Sequence, residues 1–407
     1  MMKRLLSLFL TGALCFGLWA CNDEPPAPTP TPVPPESFTI AGEDISKYTV
    51  VYAPSYAEED VKKYGDYFGY DYEYNGDAAS RIANMLSDLF GVTLPVKTDD
   101  APVGEYEILV GNTNRAESAS LSLKDNEYAI RVAGKKLVVA GGSSVAIKAM
   151  VNAVRSAIMA TTVPAVAWSE STDHSSTCAI RRIACIGDSI TMGSKSSTHN
   201  DDLALNRDLL SYPANLQRIL FEEYAVYNYG LGGTTMRNDT EKPYQQCVPY
   251  ANCMASGYSY DLIFVMLGTN DSRQVKDENG DSKTAWDDAD VAKYIADFEI
   301  LLSSLKAKSP NAKFVMMNCP ESYVKDYGQH FMHAVQKTAA EAMKAKGYDI
   351  VLYDMYQFTV DKMTDEKHYA DHLHPNDKGY AMIAEELATL VPVVLDGGTN
   401  EYLIPLN

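Results

Sequence analysis

The spacing of apolar residues changes period repeatedly along the chain, and the order of those changes predicts two folded units. In the first, residues 38–170, the stretch 48–52 (Tyr-Thr-Val-Val-Tyr) reads as a strand. Residues 78–90 put Ile82, Met85, Leu86 and Leu89 at helical spacing, and Gly91 stops that helix. Residues 106–110 predict another strand. Residues 127–132 and 136–140 predict a hairpin turning at Ala133-Gly134-Lys135. Residues 144–159 return to a helical period, with small and apolar side chains on one face. A sheet with helices packed on it makes this unit an α+β layer.

Polar residues 169–176 mark a boundary. In the second unit, 178–396, strands at 182–186, 225–229, 261–267, 313–317 and 349–353 alternate with helices at 212–221, 291–305, 330–346 and 377–390. That alternation predicts a parallel sheet with helices on both faces. Residues 397–407 are left as a C-terminal tail.

Polar signals gather just beyond the predicted strand ends. Gly187-Asp188-Ser189 follows the first. Asn228-Tyr229-Gly230-Leu231-Gly232-Gly233 follows the second. Gly268-Thr269-Asn270-Asp271 follows the third, and Asp371-His372-Leu373-His374-Pro375 precedes the last helix. Strand ends of a parallel sheet converge on one edge, so the four blocks can meet in space. Gly-Asp-Ser alone is a common turn composition; its company gives it weight.

These four blocks, in this order, resemble the pattern of the SGNH (GDSL-type) hydrolases across the whole second unit. The resemblance implies a flavodoxin-like three-layer α/β/α fold and an esterase or lipase mechanism. It casts Ser189 as nucleophile, His374 as the base that the serine hydroxyl needs, and Asp371 as the acceptor that fixes the His374 tautomer. The oxyanion hole would comprise the backbone N–H groups of Ser189 and Gly233 and the Asn270 side-chain amide. Gly230 and Gly232 are rivals for the glycine role; the five-residue step from Asn228 selects Gly233. Asp188 reads as a brace for its turn and Asp271 as a loop anchor. His372 and His374 form a His-x-His pair of the kind that can bind metal, but Asp371 and His374 already have roles, and no metal or other cofactor is expected. The remaining histidines, His174, His199, His330, His333 and His368, read as surface residues. The long connections 238–260 and 274–288 are expected to border the pocket.

The first unit resembles the non-catalytic domain that precedes the catalytic domain of some glycoside hydrolases, such as family 20 hexosaminidases and α-glucuronidases. The matching features are the helix before Gly91-Val92-Thr93-Leu94-Pro95, the stretch 107–111, and 136–142 leading into a helix. This implies a carbohydrate context. Residues 64–74 carry Tyr64, Tyr67, Phe68, Tyr70, Tyr72 and Tyr74. They read as a loop covering the sheet, with a sugar-stacking platform as the second reading.

Composition adds a location. Residues 1–20 have a basic start (Lys3, Arg4) and a short apolar core, the pattern of a signal peptide. Leu18-Trp19-Ala20-Cys21 resembles a bacterial lipobox, with Trp19 where a small residue is usual. The resemblance implies lipidation of Cys21. Residues 21–37 are rich in Pro and Thr and predict a stiff tether. Together these features place the protein outside the cytoplasm, lipid-anchored to a bacterial membrane and touching it through that anchor alone. A net charge of −19 disfavours nucleic acid as a partner. Of seven cysteines, Cys185 falls in a core strand, and Cys247 and Cys253 could close a loop disulfide in an oxidising compartment.

The sequence thus predicts an extracytoplasmic serine esterase acting on acetyl or other small acyl esters, with acylated carbohydrate as the expected substrate. Two rivals stand beside it. One is a GDSL lipase or lysophospholipase acting on lipid acyl esters. The other is a glycan-binding surface lipoprotein that retains the hydrolase fold without its activity.

Overall fold

A computed structural model describes residues 35–56, 58–64, 73–119, 121–160, 164–199, 209–321, 330–363 and 366–406. The expected leader, Cys21, nearly all of the tether and most of the aromatic stretch 64–74 lie outside the described residues.

The first unit is built on a six-stranded sheet. Its spatial order is Val96–Thr98, Thr49–Tyr52, Glu107–Val110, Lys136–Gly141, Glu127–Ala133 and Ser176–Thr177. The first four strands are parallel, and the last two pair antiparallel. Side chains alternate as a strand requires. Val50, Ile108, Val110, Leu137 and Val139 pack with Ile82, Leu86, Met150 and Val154 of the helices Tyr74–Phe90 and Ser144–Met159. Val51, Leu109 and Val138 form a small cluster on the other face. Ser143 caps the second helix by accepting from Ala146 N. Gly91, at φ +66°, ends the first.

Ser37–Ile40 pairs with Ala165–Trp168, which lies more than a hundred residues downstream, and with Glu43–Asp44. The polar boundary does not hang free. Asp173 bridges to Arg131, and Ser176–Thr177 continues the sheet.

The second unit has six strands in the spatial order Tyr224–Gly230, Arg181–Gly187, Leu262–Met266, Lys313–Met317, Ile350–Tyr353, Leu403–Ile404. Numbered along the chain this is 2-1-3-4-5-6, with 1 to 5 parallel, the flavodoxin-like order with its switch point beside the first strand. The sixth strand is antiparallel to its neighbour, so the expected tail, 397–407, supplies an edge of the sheet.

The strands are apolar on both faces because helices cover both. Ile183, Cys185, Phe264 and Val315 face the helices Tyr212–Ile219, Met355–Lys362 and Asp377–Asp396. Ala184, Ile186, Val265 and Phe314 face Asp288–Lys308 and His330–Ala345. Among the described residues no helix is long and apolar enough to cross a membrane.

The free edge of this sheet, Tyr224–Gly230, is met by a side chain. Gln217 Nε2 donates to Tyr224 O at 3.0 Å, and Val226 N donates to Gln217 Oε1 at 2.7 Å. Gln217 thus takes up one donor and one acceptor, as a neighbouring strand would.

The two units meet along this same side. Asp125 accepts from Arg182 Nε (2.5 Å) and Nη2 (2.8 Å) and from the Tyr227 hydroxyl. Glu222 pairs with Lys148 and Arg81, and the Tyr74 ring stacks on Phe221.

Two sequence expectations are corrected. Cys247 and Cys253 are both free thiols. Cys247 precedes the helix Val248–Ala255 and Cys253 lies within it; six helical residues turn the side chains to different sides. The histidines are not all superficial either. His368 is buried, and half-buried His333 places Nε2 3.1 Å from Cys319 O.

Candidate active site

Ser189 opens a single helical turn, Ser189–Met192, directly after the first strand. Asp188 caps that turn, its Oδ1 accepting from Ile190 N at 3.0 Å. The turn is wedged between two strand ends that lack side chains there. A β-carbon at Gly187 would stand 2.1 Å from Thr191 Oγ1, and one at Gly230 would stand 2.2 Å from Met192 N. Glycine at both positions lets the backbones close around the serine.

His374 arrives from the loop before the last helix. That loop is clamped by Ala370 N to His374 O (2.9 Å), Asn376 N to His368 O (3.0 Å), and the bridge between Tyr369 and Pro375. His374 Nε2 lies 2.9 Å from Ser189 Oγ, and Nδ1 lies 2.9 Å from Asp371 Oδ2. Asp371 Oδ1 also accepts from the backbone N–H groups of Leu373 and His374. Partial burial works against ionisation of Asp371, but those N–H groups and the imidazole outweigh it and hold the carboxyl below its ordinary pKa. The result is one hydrogen-bonded line, carboxylate to imidazole to hydroxyl, ending at a serine that is 9% exposed.

Beside Ser189 runs the loop 231–235. A β-carbon at Gly232 would lie 3.7 Å from Ser189 Cβ. The three candidate glycines differ in what their N–H groups do. Gly230 N donates to Asn228 Oδ1 at 2.9 Å, and Gly232 N points at Met192 Sδ, 3.3 Å away. Gly233, at φ +79°, has no acceptor for its N–H among the described residues, and neither has Ser189. The N–H groups of Ser189 and of the neighbouring loop's Gly233 are therefore unused by backbone or side chain among the described residues.

Asn270 follows the third strand. Its Nδ2 donates to Thr234 O at 3.0 Å and reaches Asp188 Oδ2 at 3.4 Å. Asp188 and Asp271 are fully buried. Burial raises the Asp188 pKa to about 7, with the Asp271 charge adding to the rise and the Ile190 N–H opposing it. Burial likewise raises Asp271 to about 6. Asp271 accepts from Met236 N and Arg237 N and so ties down the chain just after the Gly233 loop. His372 is exposed, and the described residues hold no cluster of metal-ligating side chains.

Each long connection sends a side chain to a glycine carbonyl of the loop. Lys242 Nζ donates to Gly232 O at 2.6 Å, and Gln274 Nε2 donates to Gly233 O at 2.8 Å. Neither residue stood out in the sequence. A cavity of about 460 Å³ lies away from this line, at the free edge of the sheet, where Tyr56, Gln217, Tyr227, Tyr229 and Asn252 are among its lining residues. Ser189, Asp371 and His374 are not.

Residues 185–382 match the GDSL-like Lipase/Acylhydrolase family. The acetylxylan esterase of Xylanibacter ruminicola is 27% identical over 231 residues, covering 52% of this chain and 43% of that protein. The chain thus aligns with less than half the length of that curated relative. Among solved structures, a carbohydrate esterase family 2 enzyme of Corynascus thermopiles with a carbohydrate binding domain is 22% identical, with a TM-score of 0.39 over 55% of this chain and 71% of that one. A family two carbohydrate esterase from Clostridium thermocellum in complex with cellohexaose is 18% identical, with a TM-score of 0.38 over 56% and 70%.

Proposed function

We propose that this chain is a serine esterase that removes acetyl or another small acyl group from carbohydrate through an acyl-enzyme. The observation that carries the reading is the unbroken line from Asp371 through His374 to Ser189 beside two free backbone N–H groups. Ser189 Oγ attacks the ester carbonyl carbon while its proton passes to His374 Nε2. Asp371 holds the Nδ1 proton and stabilises the imidazolium. The carbonyl oxygen, now negative, is received by the N–H groups of Ser189 and Gly233 and by the Asn270 amide. Each such donor is typically worth about 3–4 kcal/mol in the transition state. Collapse expels the sugar oxygen, which takes the proton from His374. Water then attacks the acyl-serine with His374 again as base, releasing the acid and restoring Ser189.

For Asn270 to act as the third donor, it has to give up its long contact with Asp188 while keeping Thr234. Carbohydrate as substrate is supported by the acetylxylan esterase relative and by the first unit's resemblance to domains of glycoside hydrolases. The leader, Cys21 and the Pro/Thr-rich tether support a lipid-anchored place outside the cytoplasm.

The test is a chain-length series of p-nitrophenyl esters, run with a Ser189→Ala control, followed by acetate release from acetylated xylan. Activity confined to short acyl chains and lost in the control supports the reading. A maximum at long chains replaces it with the lipase, and no hydrolysis of any ester replaces it with the glycan-binding protein.

A further inference from the structure

Five successive carbonyls of the loop beside Ser189 are held by donors. Leu231 O accepts from Thr234 Oγ1 at 2.8 Å, Gly232 O from Lys242 Nζ at 2.6 Å, and Gly233 O from Gln274 Nε2 at 2.8 Å. Thr234 O accepts from Asn270 Nδ2 at 3.0 Å, and Thr235 O from Tyr244 N at 2.9 Å. Lys242 is the charged donor of the five. It is exposed, and its stem runs along the loop, with Cδ 3.6 Å from the place a Gly233 β-carbon would take.

Gly232 C=O and Gly233 N–H belong to one peptide group. In a trans peptide they point in opposite directions, and the described residues contain no cis bond. A cation fixed on the oxygen therefore aims the N–H the other way. Gly233 takes φ +79°, a conformation that glycine adopts without a steric cost, and the oxygen of this peptide is held by Lys242. The ammonium also draws the peptide dipole toward the carbonyl, and a polarised peptide is a stronger N–H donor.

We propose that Lys242 is a positioning residue for the oxyanion site, acting on the Gly233 N–H through the Gly232 carbonyl. The inference rests on the esterase reading. Its effect belongs to the transition state, because the substrate oxygen becomes negative only there.

The experiment compares Lys242→Met and Lys242→Arg with wild type on p-nitrophenyl acetate and measures inhibition by phenylboronic acid, which forms a tetrahedral adduct with an active serine. Lys242→Met should lower kcat roughly 10- to 30-fold, less than outright loss of an oxyanion donor, with KM within about twofold. Affinity for the boronate should fall by the same factor as kcat/KM. Arginine, which can also bond the carbonyl, should recover most of the loss. A raised KM with unchanged kcat would make Lys242 a substrate contact and overturn the proposal. So would unchanged boronate affinity, or a Met variant as active as wild type. Wild type with no esterase activity would instead overturn the functional reading beneath it.

Discussion

Asn270 Nδ2 stands 3.0 Å from Thr234 O but 3.4 Å from Asp188 Oδ2. One N–H of the amide is firmly bound, and the other is held only at the long end of hydrogen bonding. The second can turn toward a developing oxyanion at small cost. Asn270→Ala should lower kcat by about 10²–10³ with little change in KM. Steady-state kinetics on a short ester reads this directly.

Asp371 and His374 make a second separable prediction. Asp371→Asn keeps the shape of the turn and removes the charge that orients Nδ1–H. It should lower kcat by about 10³–10⁴. Far-UV circular dichroism and the melting temperature should stay near wild type, which separates the loss from misfolding.

The buried Asp188 predicts a pH effect on stability. Its folded pKa, about 7, is above the ordinary 3.8. The unfolded chain gives up this proton before the folded one, so the stability is fully present below the ordinary value. It is lost as pH rises through the folded value. Asparagine cannot titrate and still caps Ile190 N. Denaturant unfolding at pH 4.5, 6 and 8 should show Asp188→Asn gaining on wild type as pH rises, by on the order of 2–4 kcal/mol at the alkaline end.

Gly230 tests the wedge. Gly230→Ala places a β-carbon 2.2 Å from Met192 N, a backbone atom that cannot move aside without displacing Ser189. Activity should fall at least about a hundredfold, and stability by roughly 1–3 kcal/mol. Gly257→Ala, with nothing within 4 Å of the new carbon, should match wild type in both kinetics and thermal melting.

The junction between the units depends on Asp125. Arg182 and Asp125 are only 15% and 8% exposed. Burial opposes the Asp125 charge, but Arg182 and Tyr227 outweigh it and lower the pKa. Asp125→Ala leaves a largely buried guanidinium without this carboxylate, at a cost of about 2–4 kcal/mol near neutral pH. The pair's contribution disappears as pH falls through the lowered pKa. Wild type and variant should therefore converge in acid. Chemical denaturation at a series of pH values from 7 into the acid range, below the ordinary carboxylate value, measures both.

Much of this was legible because strand patterns and motif positions are local. The helix Ser144–Met159 and the strand Lys313–Met317 match the sequence reading residue for residue. Ser189 and Asn270 stand out because each follows a parallel strand that ends at one edge of the sheet, and Asp371 and His374 because they share one short polar block before the last helix. Ser37–Ile40 and Ala165–Trp168 were missed because each is short and finds its partner far along the chain. Lys242 and Gln274 were missed for another reason. They act by touching carbonyls of a loop, and no residue type or spacing encodes that. The buried His368 escaped because its burial depends on how the His374 loop folds back on itself.

Gln217 has a consequence outside catalysis. An open strand edge is a template on which a second chain can hydrogen-bond, and repeated pairing of that kind ends in aggregates. The Gln217 carboxamide occupies one acceptor and one donor of the Tyr224–Gly230 edge, which leaves a visiting strand a broken ladder.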